Sequence, residues 1–378
     1  MTYRHPTVAE IDLEAFRRNL RLVKDQIGPG RGVLAVVKAN AYGHGMIPIA
    51  HAALAEGAEG LGVAFVEEGI ELRRAGVTSM ILVMAGFMPE EAGALVEHGL
   101  TPVVSDAGQI EALQRISGKT DRPIRVHLKI DTGMGRLGLL ENEVPAFMAK
   151  AREARGIEIH GLMSHFADDN LSDRRLAESQ VEQFERIQGS IEAKGVKPSK
   201  FHMANSAGIL GVPGSWFNLV RPGIMLYGYP PRGGDAPARS MTPVMTFKTR
   251  ITHLRRVPAG TTVSYGRTHT TGRESLIAVL PVGYADGYSR AWSNRGRVLI
   301  GGRRVPVVGR VCMDMTMVDV TDIPKVREGG EAVLIGAQGA ESIQADELAL
   351  ELGTIPYEIL CAVGSRVPRV YREGGNRS

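Results

Sequence analysis

The sequence predicts an α/β protein with an N-terminal (β/α)8 TIM-like barrel followed by a C-terminal, mainly β domain. Eight short apolar runs alternate with helix-like stretches over roughly the first 230 residues, which is the spacing of such a barrel. From Met241 onward, short strand-like runs follow one another with a single helical stretch, as in a mainly β domain. The chain has 378 residues, of which 43% are hydrophobic, so it is long enough for two cores.

The barrel elements are predicted from the length and period of the apolar runs. Short continuous runs predict buried strands, while apolar residues three or four positions apart predict helices. The strands are expected at residues 33–37, 61–65, 80–85, 102–105, 124–130, 157–163, 201–204 and 219–227. The helices are expected at Leu13–Ile27, capped by Asp12, and at 47–56, 67–75, 89–97, 106–116, 143–154 and 174–194. We expect the 206–213 connection to be short and irregular.

The alternative for this pattern is a doubly wound sheet. Such a sheet would usually carry a glycine-rich dinucleotide fingerprint after an early strand, and this sequence has none. The barrel is therefore the favoured interpretation of the N-terminal part.

A segment rich in proline and glycine precedes the second domain. It contains Pro230, Pro231, Gly233, Gly234 and Pro237. Beyond it we predict strands at 245–254, 261–265, 275–281, 298–300, 304–311, 315–320 and 332–335, and one helix at 344–352. The domain boundaries are thus placed at residues 10–235 for the barrel and 236–378 for the β domain, with residues 1–9 able to pack with the latter.

Composition excludes several classes of protein. The net charge of +4 is small and the basic residues are scattered, which argues against nucleic-acid binding. Cys312 and Cys361 are the two cysteines, too few for a disulfide framework or a cysteine metal cluster. The longest apolar run, 80–88, is too short to span a bilayer, and the first residues lack an apolar signal core. We expect a soluble cytoplasmic protein.

A lysine at the end of the first predicted barrel strand is the most informative single residue. Lys38 follows the apolar run 33–37, and burial of an ammonium there would be costly unless it pairs or loses its proton. An unprotonated lysine is a nucleophile that forms a Schiff base with an aldehyde. Tyr42 lies close enough in sequence to line the same opening. The structural alternative is a lysine that extends out of a strand end into solvent.

Other reactive side chains follow later barrel strands. Each alone has a structural explanation: Lys129 and Asp131 could form an ion pair, and His165 could be a hydrogen-bonded core histidine. Their shared position at the C-terminal ends of strands, where barrel enzymes place their chemistry, favours one active site. The set comprises Lys38, Lys129, Asp131, Arg136, His165, Asn205, Ser206, Arg221 and Gly223.

The types of these residues point to a pyridoxal 5'-phosphate site. Ser206, Gly223 and Ile224 follow strands seven and eight, the usual phosphate position, where we expect free backbone N–H groups at Gly223 and Ile224. A lysine for a Schiff base and an arginine for a pyridine nitrogen complete the requirements of this cofactor. No set of acidic and histidine residues at metal-ligand spacing competes with this interpretation.

The chain resembles the bacterial alanine racemases, pyridoxal-phosphate enzymes with a barrel and a C-terminal β domain. The resemblance covers essentially the whole chain, and it rests on ordered motifs. In the barrel these are AVVKANAYGHG at 35–45, KIDTGMGR at 129–136, HMANS at 202–206 and RPGI at 221–224. In the second domain they are VSYG at 263–266, PVGYADG at 281–287 and CMD at 312–314.

The resemblance implies roles for matching residues. Lys38 and Tyr265, the latter from the other subunit, would be catalytic bases on opposite faces of an amino-acid substrate; Arg221 would bond the pyridine nitrogen and His165 would orient Tyr265. The expected phosphate ligands are Tyr42, Ser206, Gly223, Ile224 and Tyr357, and the expected substrate-binding residues are Arg136, Tyr284 and Met313. In several relatives the lysine that matches Lys129 is carbamylated. A homodimer with shared active sites, supplying D-alanine for peptidoglycan, would follow.

Several alternatives stay open at this point. The enzyme could be a racemase of broader specificity or one for serine. A pyridoxal-phosphate decarboxylase shares the barrel type but usually relies on cysteine and aspartate in a longer chain. A non-enzymatic cofactor-binding protein would have no use for the β domain. Finally, Tyr265, Tyr284 and Met313 could simply fill the core of their own domain, which would remove the argument for a dimer.

Overall fold

The computed structural model describes residues 5–168, 173–231 and 240–374. These residues form two compact units. Of the described residues, those within Phe16–Ala41 and Met46–Thr242 form the barrel unit, and those within Met1–Ala15, Tyr42–Gly45 and Pro243–Ser378 form the β unit. The ranges 10–235 and 236–378 stay predictions of domain boundaries. This division differs from them by giving residues 10–15 and 42–45 to the β unit and the described residues 240–242 to the barrel unit. The predicted linker residues Gly233, Gly234 and Pro237 lie outside the described residues.

The barrel unit contains eight parallel strands, which confirms the predicted fold class. Numbered in chain order after β1 (Val8–Asp12), they are β2 (Gly32–Val36), β3 (Gly60–Val63), β4 (Met80–Val83), β5 (Thr101–Val104), β6 (Ile124–Lys129), β7 (Ile157–Met163), β8 (Lys200–His202) and β9 (Leu219–Val220). Hydrogen-bonded neighbours follow the order β8-β7-β6-β5-β4-β3-β2-β9. The ends of this order, β8 and β9, are joined just beyond the strands, where the N–H of Arg221 donates to the Ala204 carbonyl over 2.9 Å, so the barrel is nearly closed.

The helices of the barrel unit begin close to the predicted positions because their caps are local. They are α1 (Leu13–Ile27), α2 (Met46–Ala55), α3 (Val66–Arg74), α4 (Ala92–Glu97), α5 (Ala107–Ser117), α6 (Val144–Glu153), α7 (Arg174–Ala193) and α8 (Ser206–Gly211). Asp106, Asp173 and Asn205 cap α5, α7 and α8 by accepting backbone N–H groups. The prediction of an irregular 206–213 connection is therefore wrong, since α8 occupies most of it.

The last predicted barrel strand is shorter than expected. β9 ends at Val220, and a 3-10 turn covers Ile224–Tyr227. Pro222 lacks a backbone N–H and cannot extend the ladder, so Arg221 lies just beyond the strand end.

The β unit contains a seven-stranded sheet and a three-stranded sheet. Its strands are β10 (Met245–Arg250), β11 (His253–Val257), β12 (Thr262–Val263), β13 (His269–Thr270), β14 (Ser275–Leu280), β15 (Arg297–Ile300), β16 (Arg303–Pro306), β17 (Thr316–Asp319), β18 (Glu331–Gln338), β19 (Glu341–Ile343) and β20 (Arg369–Arg372). The larger sheet follows β16-β15-β18-β10-β1-β20 with β19 on β18, and the smaller follows β11-β14-β17. Two helices, α9 (Ala345–Leu352) and α10 (Pro356–Cys361), complete the unit. The predicted strand 245–254 is in fact two strands, β10 and β11, in different sheets.

Among the helices of the described ranges, none combines the length and the apolar character that crossing a bilayer requires.

Candidate active site

The segment after β2 adopts a left-handed turn that contains four consecutive non-glycine residues. The φ angles of Ala39, Asn40 and Ala41 are 53°, and that of Tyr42 is 52°. Each non-glycine residue costs roughly 1–2 kcal/mol in this region because Cβ approaches the following carbonyl oxygen. Contacts from elsewhere must therefore hold the turn. Lys38 precedes the turn and is exposed in the single chain.

Glu68 of α3 supplies part of that support. Its Oε1 accepts the N–H of Ala39 over 2.6 Å, and its Oε2 accepts the N–H of Ala64 over 2.7 Å. On the other side, the Asn40 side-chain oxygen accepts the N–H of Met46 over 2.8 Å. One carboxylate thus joins the residue after Lys38 to the end of β3.

We expect the Glu68→Gln substitution to destabilise the turn. An amide offers one acceptor oxygen where both carboxylate oxygens now accept, so one N–H loses its acceptor and the other keeps only a neutral one, at a cost of about 1–3 kcal/mol. Chemical denaturation should show this loss of stability, and limited proteolysis should show faster cleavage around Lys38. The exposed neighbour Glu67 provides the matched control, because Glu67→Gln should change neither measurement. Equal behaviour of both variants would contradict this role of Glu68.

Arg221 is the most deeply buried cation of the barrel unit's candidate site, with 3% of its surface exposed. Its Nη1 donates to His202 Nδ1 over 3.0 Å and to the His202 carbonyl over 2.8 Å. Its Nη2 donates to the carbonyls of Ser164 and Met203 over 2.7 and 3.1 Å, and to His165 Nδ1 over 3.2 Å. All five of these acceptors are neutral, so the guanidinium keeps its full charge at the mouth of the barrel.

The charge of Arg221 determines the state of the histidines around it. Burial lowers the pKa of Arg221 to about 9, which still leaves it protonated near neutral pH. Burial, with the positive charge of Arg221 next in size, holds the pKa values of His165 and His202 well below their usual range. Both imidazoles are therefore neutral and accept from Arg221 at Nδ1, which leaves the proton of each ring on Nε2. His165 can thus donate a hydrogen bond from Nε2.

Lys129 is the last residue of β6 and Asp131 follows it, but the two side chains play different roles. The Asp131 carboxylate accepts the N–H groups of Gly133 and Gly135, and so shapes the loop that leads to the exposed Arg136. Lys129 is buried, and burial first, then Arg221 and Arg136, place its pKa well below the usual range, with Asp131 opposing. The lowered pKa favours the neutral amine form of Lys129.

Three polar residues that support His165 carried no role in the sequence-based assignment. The Ser164 hydroxyl donates to the Ile130 carbonyl and accepts a hydrogen bond from the Thr132 hydroxyl. Gln180 of α7 donates to the Thr132 hydroxyl and, over 3.3 Å, to the carbonyl of His165. Gln180 is 1% exposed, and a glutamine on the otherwise apolar buried face of α7 is the signal that could have revealed it.

Ser206 and Gly223 meet after β8 and β9. The Ser206 hydroxyl accepts the N–H of Gly223 over 3.0 Å and that of Met225 over 3.4 Å. The expectation of a free N–H at Gly223 is therefore wrong in this structure. The sequence predicted that this hydroxyl and this glycine lie together at the usual phosphate position of a barrel, and in the structure they are in contact.

The predicted site residues of the β unit fall into two groups. The rings of Tyr42 and Tyr357 lie 5.6 Å apart, and burial raises the pKa of Tyr42, so its hydroxyl is a neutral donor. Tyr265, Tyr284 and Met313 are exposed in the chain by 74%, 42% and 52%. The alternative that these three residues fill the core of the β unit is therefore excluded.

The loops that carry Tyr284 and Met313 are joined through the backbone. The N–H of Tyr284 donates to the Cys312 carbonyl, and the N–H of Ala285 donates to the Met313 carbonyl, both over 3.1 Å. Tyr265 follows Ser264, whose φ is 66° and whose hydroxyl donates to the Arg310 carbonyl over 2.8 Å. These local bonds hold the backbone of the loops, while the side chains of Tyr265, Tyr284 and Met313 face solvent in the single chain.

Comparison with known proteins covers both units. The chain matches the alanine racemase N-terminal domain family over residues 11–231 and the alanine racemase C-terminal domain family over residues 244–371. It is 43% identical over 367 residues to an alanine racemase of Halothermothrix orenii, covering 97% of each chain. The crystal structure of alanine racemase from a D-cycloserine-producing Streptomyces lavendulae superimposes with a TM-score of 0.93 at 35% identity, covering 99% of this chain and 98% of the other. The Bartonella henselae alanine racemase with covalently bound pyridoxal phosphate gives a TM-score of 0.88 at 31% identity, covering 98% and 100%.

Proposed function

Because the chain belongs to the alanine racemase family, as its motifs indicated, we propose that it interconverts L-alanine and D-alanine with pyridoxal 5'-phosphate as its cofactor. The observation that carries the proposal is Arg221. It is a buried guanidinium with neutral acceptors, and it lies beyond β9 at the end of the barrel where catalysis takes place. Such a group suits an uncharged ring nitrogen, since arginine gives up a proton reluctantly.

The residues of the chain fit this cofactor. When bound, pyridoxal phosphate supplies an aldehyde that links to amines and a conjugated ring that accepts electrons from the substrate. Lys38 offers an exposed amine just beyond β2, and Arg221 would face the ring nitrogen. We propose Ser206, Gly223 and Ile224, together with Tyr42 and Tyr357, as ligands of the phosphate. The support for this assignment is the Ser206–Gly223 pair after β8 and β9 and the neutral, buried Tyr42 hydroxyl.

Racemisation removes the substrate α-proton and returns a proton to the opposite face. We propose that the Lys38 amine serves one face and Tyr265 of the partner subunit serves the other. A phenol is a poor base near neutral pH unless its anion is stabilised. His165 provides that stabilisation, because its Nδ1 accepts from Arg221 and its Nε2–H is left to donate to the phenol oxygen.

Substrate recognition requires a partner for the carboxylate and a small pocket for the methyl group. We propose that Arg136 binds the carboxylate, with Met313 and Tyr284 of the partner subunit closing the pocket. The exposure of Arg136, Tyr284 and Met313 in the single chain supports this arrangement, since all three are accessible for such contacts. A cytoplasmic homodimer that supplies D-alanine for peptidoglycan completes the proposal.

Lys129 is proposed as a site of carbamylation. In this reaction the amine nitrogen attacks carbon dioxide, an N–C bond forms, an electron pair moves onto oxygen and a proton leaves to solvent. The neutral amine is the reactive form, and Arg221 and Arg136, whose charges lower its pKa, would stabilise the carbamate anion. The anion would also brace Arg136 for the substrate carboxylate.

Labelling tests the Lys129 proposal directly. Protein incubated with ¹³C-bicarbonate should give a carbamate ¹³C resonance that disappears in Lys129→Ala, and removal of dissolved carbon dioxide should lower racemase activity until bicarbonate is restored. The exposed Lys150 is the matched control, and Lys150→Ala should keep the resonance. A spectrum without a carbamate signal at saturating bicarbonate would contradict the proposal.

The proposed function is tested by chiral chromatography. Purified protein with added pyridoxal phosphate should convert either alanine enantiomer to the racemate. Because enantiomers have equal free energy, kcat/KM must be equal in both directions, which provides an internal control. Conversion of serine but not alanine would replace the substrate and keep the reaction, whereas cofactor binding without any conversion would favour the non-enzymatic alternative.

A further inference from the structure

Three histidines extend the hydrogen bonds of Arg221 through the interior of the barrel unit. His202 Nε2 and His127 Nδ1 are 2.7 Å apart, and His127 Nε2 and His160 Nδ1 are 3.1 Å apart. We call His202, His127 and His160 the histidine column. His127 and His202 have no exposed surface, while His160 is half-buried. The proposed function uses none of these three side chains.

The strands around His127 are adapted to hold the column. Residues Val126 and Ile159 pair, then His127 pairs with Gly161, so His160 is the extra residue of a bulge in β7. Gly161 has no side chain beside the ring, and a Cβ there would lie 2.7 Å from His127. Bulges of this kind redirect a side chain, and this one gives His160 access to the same interior as His127.

One fixed donor sets the direction of every bond in the column. Arg221 can only donate, so His202 must accept at Nδ1 and carry its proton on Nε2. That proton is donated to His127 Nδ1, so His127 carries its own proton on Nε2 and donates it to His160 Nδ1. On the other side of Arg221, His165 is fixed in the same way.

The surroundings of the column favour neutral rings throughout. Burial first, then the charges of His160, Arg221 and Lys200, lowers the pKa of His127 to about 3. His160 lies among Arg125, Glu158, Lys200 and Glu59, and burial is the largest cause of its lowered pKa. It also lines a cavity of about 850 Å³, so the outer end of the column can exchange hydrogen bonds with water.

We infer that His127 is a positioning residue: by accepting the Nε2–H of His202 and donating to His160, it fixes the orientation of Arg221 and thereby the tautomer of His165. The inference rests on the proposed role of Arg221 in catalysis. Its physical basis is that His202 cannot turn its proton elsewhere, since its Nδ1 faces a permanent donor. Without an acceptor at position 127, the buried Nε2–H of His202 would be unsatisfied unless His202 and Arg221 moved.

Long-range ¹H–¹⁵N NMR of cofactor-free protein labelled at histidine tests the inference without any activity. In the wild-type protein, His127, His165 and His202 should be neutral and protonated at Nε2 over roughly pH 5.5–8. His127→Leu removes the acceptor and should shift the His165 resonances. His127→Asn places an amide oxygen close to the former Nδ1 and should restore them. The exposed His51 is the control, and His51→Leu should leave His165 unshifted.

Racemase kinetics then separate positioning from packing. We expect His127→Leu to lower kcat about tenfold with little change in KM, and His127→Asn to recover most of that loss, because one buried bond is broken and then replaced. Wild-type rings protonated at Nδ1, or a His127→Leu variant with unshifted His165 resonances and full kcat, would overturn the inference. If His127→Leu does not fold, two measurements still decide the inference. They are the tautomers of the wild-type rings and the His165 resonances of His160→Ala, a variant that removes the half-buried acceptor of His127. A protein without racemase activity but with these tautomers would refute the proposed function alone.

Discussion

A one-to-one mixture of the Lys38→Ala and Tyr265→Ala variants should recover about one quarter of the wild-type racemase activity, although each variant alone should be inactive. Random subunit exchange makes half of the dimers mixed. In each mixed dimer one site combines both defects, and the other combines an intact Lys38 with an intact Tyr265. The exposure of Tyr265 in the single chain, 74%, is what makes a shared site the expected arrangement.

The matched control for this experiment combines two defects of the barrel unit. Lys38→Ala mixed with Arg221→Lys should show no gain over the residual activity of the second variant, because every site would keep one defect. Subunit exchange is verified by mixing differently tagged chains and isolating the doubly tagged dimer. A verified mixed dimer of the Lys38→Ala and Tyr265→Ala chains that stays inactive would contradict the shared site.

Replacing Arg221 by lysine should lower kcat by about 10²-fold or more and weaken binding of pyridoxal phosphate. Arg221 donates to five acceptors spread over His202, Ser164, Met203 and His165, and the three donors of one ammonium cannot reach them all. Two lost charge-assisted bonds at about 1.5–3 kcal/mol each account for a loss of this size. Steady-state kinetics with L-alanine and titration of the apoprotein with cofactor measure the two effects.

The exposed Arg31 provides the control for the charge-conserving change. It donates to the carbonyls of Phe217 and Ile27, as Arg221 does to other carbonyls, but it is exposed and has no proposed catalytic or binding role. Arg31→Lys should keep kcat within about twofold, since exposed bonds of this kind contribute little. An Arg221→Lys variant with more than a third of wild-type kcat would contradict the assigned role of Arg221.

Local patterns were sufficient to predict most of the fold. α1 and β7 have the predicted bounds: Asp12 caps α1, and β7 is rich in apolar residues although Glu158 and His160 lie within it. The strands β1 and β20 were missed. They pair with each other in parallel, with Ala9 opposite Arg369, and no periodicity within either short segment reveals a partner so distant in the sequence.

The candidate site was predictable in its residues but less so in its geometry. The expectation that reactive residues lie at strand ends identified Arg221, His165 and Ser206 as candidates. The left-handed turn at Ala39–Tyr42 was not predictable, because alanine has no preference for that conformation and its support comes from Glu68 in another element. Likewise, the sequence places His127 and Lys129 on the same face of β6. The bulge in β7 that directs His160 toward His127 depends on pairing between strands, which the sequence does not show.

The central claim is that two bases act on opposite faces of the substrate, and racemisation of L-alanine in D2O tests it most directly. Proton NMR would follow the α-position of each enantiomer after chiral separation during the first turnovers. With two bases, the proton removed by one cannot be returned by the other, so the D-alanine formed should carry deuterium at the α-carbon from the start. D-alanine that retains the α-proton of the substrate would show that a single base carried it across, and would contradict the account.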